Sequence, residues 1–198
     1  MRLFHKKQPS KTDPVMSEEE KRKHRCCFTG HRPEKLVRSE IEIKAALREE
    51  IKQAIQDGLT VFITGMTRGV DLWAAEIVLD LRKRNQEVKL ICAIPHEGFE
   101  ARWSASWKQL YHHVLDNADL VRVITSGYHT GVYQIRNEWM VNHSTRVIAV
   151  FNGQPSGTKN TIDYAKNQGI PVRIIEGYGH LYMGAPSCHF EDAHTNPV

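Results

Sequence analysis

The strongest constraint on this chain is an alternation. Short apolar runs rich in β-branched residues recur between longer stretches of helical periodicity. The runs are Cys26 to Thr29, Val61 to Thr64, Val88 to Ile94, Leu120 to Ile124, Val147 to Phe151 and Val172 to Ile175. Several are apolar at successive positions, which suits a strand covered by helices on both faces. The intervening stretches gather their apolar residues on one stripe. The first, about Glu40 to Asp57, aligns Ile43, Ala46, Leu47, Ile51, Ala54 and Ile55 and stops at Gly58. The second opens at Asp71, a good cap or first-turn acid, and stripes Val70, Trp73, Ala74, Ile77, Val78 and Leu81. Three more cover about Ser104 to Asp116, Gly131 to His143 and Thr158 to Gln168, the last closed by Gly169 and Pro171.

Strand and helix in strict alternation require a parallel sheet with right-handed crossovers. The expected fold is therefore α/β: a Rossmann-like three-layer domain with a mostly parallel sheet of about six strands. With 198 residues, 40% of them hydrophobic and 25% charged, the chain suits one sizeable domain and excludes wholesale disorder. No stretch approaches the roughly 18 to 20 apolar residues of a membrane span, and the opening MRLFHKKQPSKTD lacks the apolar segment of a secretory signal. We expect a cytoplasmic protein with no membrane partner.

The net charge of +4 is unevenly placed. Residues 1 to 25 hold eight of the 27 Lys and Arg and four of the 23 Asp and Glu, leaving 19 of each sign for the rest. A neutral body argues against nucleic acid as a partner, because the phosphate backbone rewards an excess of positive charge. The expected organisation is a flexible basic leader over 1–24, the domain over 25–176 and an irregular tail over 177–198. Cys26, Cys27 and Cys92 lie in apolar runs and read as buried, reduced thiols. His180, Cys188, His189 and His194 sit in a Gly- and Pro-broken tail whose spacing fixes no ligand geometry, so no metal and no cofactor are expected.

In parallel sheets ligands bind outside the carboxyl ends of the strands, so the following loops are where chemistry belongs. After the first strand comes Thr29-Gly30-His31-Arg32-Pro33, where Gly30 permits a close turn and His31 and Arg32 offer donors to an anion. After the second comes Thr64-Gly65-Met66-Thr67-Arg68-Gly69-Val70-Asp71, opening into a helix. Its glycines, Gly65 and Gly69, expose backbone N–H groups at a positive helix end, though the loop has neither a G-K-[ST] nor a G-x-G-x-x-G pattern. Asp71 suits a cap or a ribose hydroxyl better than a phosphate, and Glu76 reads either as a second carboxylate or as an ion pair on a solvated face. Arg102-Trp103 could stack on a base, but Trp103 also continues the apolar stripe of Trp107, Leu110 and Val114, and core packing is the preferred reading. Arg136-Asn137 stands among apolar residues at helical spacing, and burying those groups needs partners. Ser156-Gly157-Thr158, at another helix start, forms a second anion site with hydroxyl donors.

Taken together these loops resemble the SLOG superfamily, which includes the Smf/DprA DNA-processing proteins and the LOG nucleotide phosphoribohydrolases, and most closely its YpsA-like bacterial branch. The resemblance rests on Thr29 to Pro33, the run Gly65 to Glu76, Pro95, Ala118-Asp119, Arg136-Asn137 with Met140-Val141, and Gly153 with Ser156-Gly157-Thr158. It implies a protein that binds a nucleotide or nucleotide-derived ligand. The implied ligand residues are Gly30, His31, Arg32, Gly65, Gly69, Asp71, Arg136, Asn137, Ser156, Gly157 and Thr158. LOG hydrolases place a catalytic arginine on the helix before the glycine loop and a glutamate just after it. Arg136 matches the first, but Asn160 and Thr161 follow Thr158 and no carboxylate appears until Asp163. Glycoside cleavage calls for a carboxylate near the reacting carbon. The resemblance therefore implies binding first, with hydrolysis as the alternative if Asp71 or Glu76 supplies the carboxylate beside Arg136. Relatives of this kind usually assemble, and the rings of Trp103, Trp107, Tyr111 and Trp139 suggest a helix face for a homodimer.

Overall fold

The alternating sequence pattern is realised as alternating burial. In this computed structural model, which describes residues 16–178, six parallel strands form one sheet. They are β1 (Arg25–Gly30), β2 (Val61–Thr64), β3 (Lys89–Ile94), β4 (Leu120–Val123), β5 (Arg146–Phe151) and β6 (Val172–Glu176), in the order β4-β3-β2-β1-β5-β6. The helices are α1 (Glu18–Arg22), α2 (Glu40–Gln56), α3 (Val70–Arg82), α4 (Ala105–Asn117), α5 (Val132–Asn142) and α6 (Gly157–Asn167). The sequence boundaries agree with these to within about two residues.

Because side chains alternate across a strand, each central strand feeds two cores. Cys26, Phe28, Phe62, Leu90, Cys92, Ile148 and Val150 point to the face covered by α2, α3 and α4, where they meet Ile43, Leu47, Val78 and Val114. Cys27, Ile63, Ile91, Ala93, Val147 and Ala149 point to the opposite face, against Met140 and Val141 of α5 and Ile162 and Ala165 of α6. Crossovers of constant hand explain this division. The chain winds from β1 out to β4 with its helices on one face; it then returns to β5 beside β1 and winds the other way, so the later helices cover the other face. The thiols of Cys26, Cys27 and Cys92 are buried and free, and burial pushes those of Cys27 and Cys92 up to about 12.

Local signals fix the ends of the elements. Ser39 and Glu42 form a reciprocal capping box at the start of α2, the hydroxyl accepting from the Glu42 N–H and the carboxylate from the Ser39 N–H at 2.9 Å. Asp119 accepts from the Leu90 N–H at 2.8 Å and from Arg82 at 2.8 Å, tying β4 to β3 and α3, so the Ala118-Asp119 motif serves the sheet. Ser17 and Glu20 build a second capping box for α1, which lies within the stretch read as leader and is held to the domain by the Arg22 Nε–H donating to the Ser144 carbonyl at 3.0 Å. Residues 1–15 and the tail from 179, including His180, Cys188, His189 and His194, lie outside the described residues.

The proposed helix face for a dimer is not found where the rings suggested it. Trp107 packs on Trp73, Trp103 and Tyr111 pack on Phe99, and Trp139 stacks on His143 at 4.1 Å. Tyr111 is buried, and Trp103, Trp107 and Trp139 are half-buried against the two cores, Trp139 also against the C-cap of its own helix. Open apolar residues that lie together in the fold include Leu120, Val121 and Val123 on the edge strand β4, with others scattered singly, such as Val37, Ile41 and Tyr128. Among the described residues no helix is long and apolar enough to cross a membrane.

One junction is especially tight. The exit of β1 and the entry of α3 press together: a Cβ on Gly30 would overlap the Val70 side chain, and one on Gly69 would lie 2.7 Å from the His31 carbonyl oxygen. Gly69 also holds φ +90°, which disfavours any side chain. We therefore expect Gly30→Ala to cost about 1 to 3 kcal/mol by overpacking, a melting point lower by roughly 3 to 10 °C. Gly127→Ala, where a Cβ meets nothing within 4 Å, should leave it unchanged. Thermal melts of the two variants check this.

Candidate ligand-binding site

The strand order reverses between β1 and β5, and at such a reversal the following loops diverge and leave a crevice at the carboxyl edge. A cavity of about 300 Å³ occupies that place. The loop after β1 lines it with Gly30, His31, Arg32 and Lys35; the loop and first turn after β2 with Thr67 and Asp71; the connection after β3 with Phe99 and Trp103; α5 with Tyr133, Arg136 and Asn137; and the start of α6 with Ser156, Gly157 and Thr158.

Arg136 and Asp71 form its floor, 4% and 6% exposed. The guanidinium donates to the Gly65 carbonyl and, at 3.3 Å, to the Thr67 hydroxyl, and it lies 3.9 Å from Asp71 Oδ2. That same oxygen accepts from the Thr67 N–H at 3.2 Å, and the Asp71 carbonyl accepts from the Thr64 hydroxyl at 2.8 Å. Burial pushes the Asp71 carboxyl above the usual carboxylate range, against the pull of Arg136 and Thr67, and pushes Arg136 below the usual guanidinium range. Part of this network has no protein partner. Asp71 Oδ1, Arg136 Nε and His31 Nε2 are buried atoms of cavity-lining residues without a hydrogen bond. Buried polar atoms are rarely left so, and these three belong to residues that line one cavity.

His31 stacks on Phe151 at 5.9 Å, and burial followed by nearby Lys35 holds its imidazole below the usual histidine range. At the start of α6 the Ser156 hydroxyl caps the Lys159 N–H at 3.2 Å, leaving the first-turn N–H groups of Gly157 and Thr158 without helical partners. Backbone donors and the positive helix end there suit an anion. Arg32 and Lys35 make no ion pair among the described residues. Phe99, Trp103 and Tyr133 supply an aromatic wall.

Of the residues expected from sequence, Gly30, His31, Arg32, Asp71, Arg136, Asn137, Ser156, Gly157 and Thr158 meet at this cavity. Gly65 and Gly69 do not line it. Gly65 lies under Arg136, where a Cβ would overlap the guanidinium, and the helix N–H beyond Gly69, that of Val70, donates to the His31 carbonyl at 3.4 Å. Their role is close approach, and at the α3 start the Asp71 carboxylate accepts from Thr67 ahead of the helix. Glu76 is also elsewhere: it sits on the outer surface and accepts from Lys44 at 2.9 Å. Asp163 is paired with Lys159 at 2.6 Å. Sequence reasoning missed Lys35, Thr67, Phe99 and Tyr133 and preferred core packing to base stacking for Trp103. Tyr133, Arg136 and Asn137 stand three and four positions apart, the spacing of one helix face, which was the available signal. Trp103 precedes α4, so it does not share that helix's stripe; it packs on Tyr111 and lines the cavity as well.

A larger open groove of about 1120 Å³ lies on the outer surface among α2, α3 and α4. Its charges satisfy each other, Lys44 with Glu76, Arg48 with Asp80 and Arg82 with Asp119. The smaller cavity, with its unmatched buried atoms, is the better candidate.

The pattern of the YspA SLOG family matches residues 26–176, which contain the whole sheet except Arg25, together with every cavity residue. The chain belongs to this family. Similar proteins include the SPbeta prophage-derived protein YoqJ of Bacillus subtilis, 34% identical over 61% of this chain and 80% of that one. A UPF0398 protein of Halalkalibacterium halodurans is 30% identical over 59% of this chain and 62% of its own length. Among solved structures, DNA processing protein A of Helicobacter pylori, described for its single-stranded DNA binding mode, aligns with TM-score 0.56 and 18% identity over 76% of this chain and 64% of that one. The Streptococcus pneumoniae protein of the same name aligns with TM-score 0.55 and 20% identity over 77% and 50%. This chain thus spans less than two thirds of the Halalkalibacterium relative and of both DNA processing proteins. Those two structures share its fold.

The histidine shift carries a sign that can be measured. A folded-state value below the unfolded one, about 6.5, means the native state resists a proton that the unfolded chain accepts. Stability from this group is present above pH 6.5 and is lost as pH falls through the folded value. Asp71, shifted upward, acts with the opposite slope. We expect wild type to lose more stability than His31→Gln between pH 7.5 and 5.5, checked by urea titration at both values.

Proposed function

We propose that this family member binds a nucleotide or nucleotide-derived small molecule in the cavity between the β1 and β5 loops. The observation that carries the reading is the cavity lining itself: Asp71, Arg136 and His31, each with a buried polar atom that has no protein partner, stand beside a helix start with free N–H groups. A phosphate suits the Ser156 to Thr158 turn with Arg32 and Lys35 nearby; sugar hydroxyls can donate to Asp71; a base suits the aromatic wall. Such a ligand uses every class of group the cavity offers, whereas a neutral apolar metabolite leaves the charges unmatched. The single-stranded DNA binding named for the Helicobacter pylori protein belongs to that protein. For this chain the balanced charge of the body favours a small molecule over a nucleic-acid strand.

A hydrolytic reading of the same cavity is favoured by one feature. Asp71 is the carboxylate that lines it, and a buried acid with an unpartnered oxygen is suited to orient water toward a glycosidic carbon. Glu76 and Asp163 are held elsewhere by lysines. Release of free base from nucleoside monophosphates, abolished in Asp71→Asn, supports hydrolysis; intact nucleotide recovered after prolonged incubation leaves binding alone.

Calorimetry with AMP, ADP and ADP-ribose beside adenosine tests the main reading. Phosphate-bearing ligands should bind at least about tenfold better than the nucleoside, and Arg136→Ala should lose roughly ten- to a hundredfold in affinity, the worth of a charge-assisted hydrogen bond. Removing Arg136 also strands the buried Asp71 and should cost about 3 to 5 kcal/mol of stability. Arg32→Ala, at an exposed position, reads the charge dependence without that loss. Equal affinity for adenosine and AMP overturns the phosphate assignment.

A further inference from the structure

Two loops at one end of the cavity each carry groups that suit an anion. The first follows β1 and presents Arg32 and Lys35. It is a short turn pinned in place: the Lys35 N–H donates to the Arg32 carbonyl at 3.0 Å, and the Asn152 side-chain amide, from the loop after β5, donates to the Lys35 carbonyl at 2.9 Å. Its carboxylate, Glu34, is taken by Arg68 at 3.1 Å. Arg32 and Lys35 are left without a counter-ion among the described residues, and two like charges on a fixed turn repel. Lys35 also acts on His31, which is 3% exposed and lines the same cavity; after burial, the Lys35 charge is what holds that imidazole below its usual range. The second loop follows β5 and opens α6. The Ser156 hydroxyl there is already engaged, donating to the Gln154 carbonyl at 3.1 Å and accepting from the Lys159 N–H, so the donors left are the N–H groups of Gly157 and Thr158.

Length decides how many phosphates these groups take. β2, β1 and β5 are neighbours in the sheet, so Asp71, the turn of Arg32 and Lys35, and the start of α6 follow one another at a strand spacing of about 4.8 Å. A ligand whose ribose hydroxyls donate to Asp71 has its first phosphate one linkage away, level with the β1 turn. The helix start lies a further spacing on, roughly 10 Å from the carboxylate. A second phosphate covers that step. A monophosphate leaves either the cations or the helix start to water.

We infer that the ligand carries two consecutive phosphates, the first between Arg32 and Lys35 and the second on the N–H groups of Gly157 and Thr158. This rests on the nucleotide reading of the cavity and narrows it to a nucleoside diphosphate, whose outer phosphate is either free or linked to a further sugar. Both forms use the same two seats.

The experiment measures AMP, ADP and ADP-ribose on the full chain by calorimetry, with inorganic phosphate and pyrophosphate as probes that carry no base. The tighter of ADP and ADP-ribose should exceed AMP by on the order of tenfold, and which one it is tells whether the outer phosphate is free or linked. Gly157→Pro removes one N–H from the outer seat and keeps the helix: proline suits the first helical position, Ser156 ahead of it is extended at φ −174° and ψ 171°, and a Cβ on Gly157 meets nothing within 4 Å. It should bring the diphosphate-to-AMP ratio down toward one, while Gly157→Ala, which retains the N–H, should preserve it. Arg32→Ala combined with Lys35→Ala should weaken AMP and the diphosphates together. AMP that binds as tightly as both diphosphates, or a ratio that survives Gly157→Pro, overturns the second seat and leaves the nucleotide reading standing. Preference for pyrophosphate over phosphate with no nucleotide bound removes the nucleotide reading and keeps the two seats; no binding of any probe removes both.

Discussion

The buried pair of Asp71 and Arg136 is the interaction on which the carboxyl edge of this fold depends. It joins three segments distant in sequence: the loop after β2, the first turn of α3 and the middle of α5. Arg136 donates to the Gly65 carbonyl and the Thr67 hydroxyl, and Asp71 accepts from the Thr67 N–H, so the loop is clamped from both sides. Two charges at 5% and 8% side-chain exposure are costly to desolvate, and a pair 3.9 Å apart with unmatched atoms recovers little of that cost. A network satisfied only in part is a poor device for stability. It suits a site better, where on the proposed reading a ligand would supply hydrogen bonds that the protein does not.

The backbone around the pair is shaped to let it exist. Met66 holds φ +63° although it carries a side chain, and it is fully buried between β2 and α3. Such a conformation costs about 1 to 2 kcal/mol and persists where its surroundings leave no alternative. Gly65 gives room to the guanidinium, and Gly69 and Gly30 let α3 and β1 approach each other. These glycines therefore place the charged side chains, and the turn with free N–H groups, which the proposed reading gives to an anion, is the one at Ser156 to Thr158. Packing the β1 exit against α3 also sets His31, whose carbonyl receives the Val70 N–H while its ring reaches Phe151 and the cavity.

How much of this was legible follows from what each signal measures. Period and β-branching report burial, and every strand and long helix was found because each central strand is apolar on both faces and each helix on one. β4 was found by the same rule although its residues are exposed, since it is an edge strand that only pairing to β3 retains. The glycine loops were visible as loops, but a glycine that admits a phosphate and one that admits a side chain look identical in sequence; only the position of Arg136 separates Gly65 from Gly157. Glu76 and Asp71 were equally plausible carboxylates because both lie in the first two turns of α3. They differ by which side of the helix they take: Asp71 turns to the sheet edge, and Glu76 turns outward to Lys44 of α2. Phe99 and Tyr133 escaped notice because an aromatic in a loop or on a helix reads as core until its neighbours are known.

Strand order turns the separate loops into a sequence of chemistries. Across the sheet the order is β3, β2, β1, β5, and the loops after them contribute in turn the rings of Phe99 and Trp103, the carboxylate of Asp71, the cations and imidazole of Arg32, Lys35 and His31, and the free N–H groups of the α6 start. Adjacent strands are about 4.8 Å apart, so this series spans roughly 14 Å. Aromatic, hydroxyl-accepting and anion-binding groups thus follow one another in the order base, sugar, phosphate and at a comparable length. Reversing a nucleotide in this cavity would bring its phosphate to the aromatic wall and its base to the cations and the helix start. Each group would then be desolvated without a partner. The order of the strands, fixed by hydrophobic pattern and crossover hand, therefore also fixes the direction in which such a ligand enters.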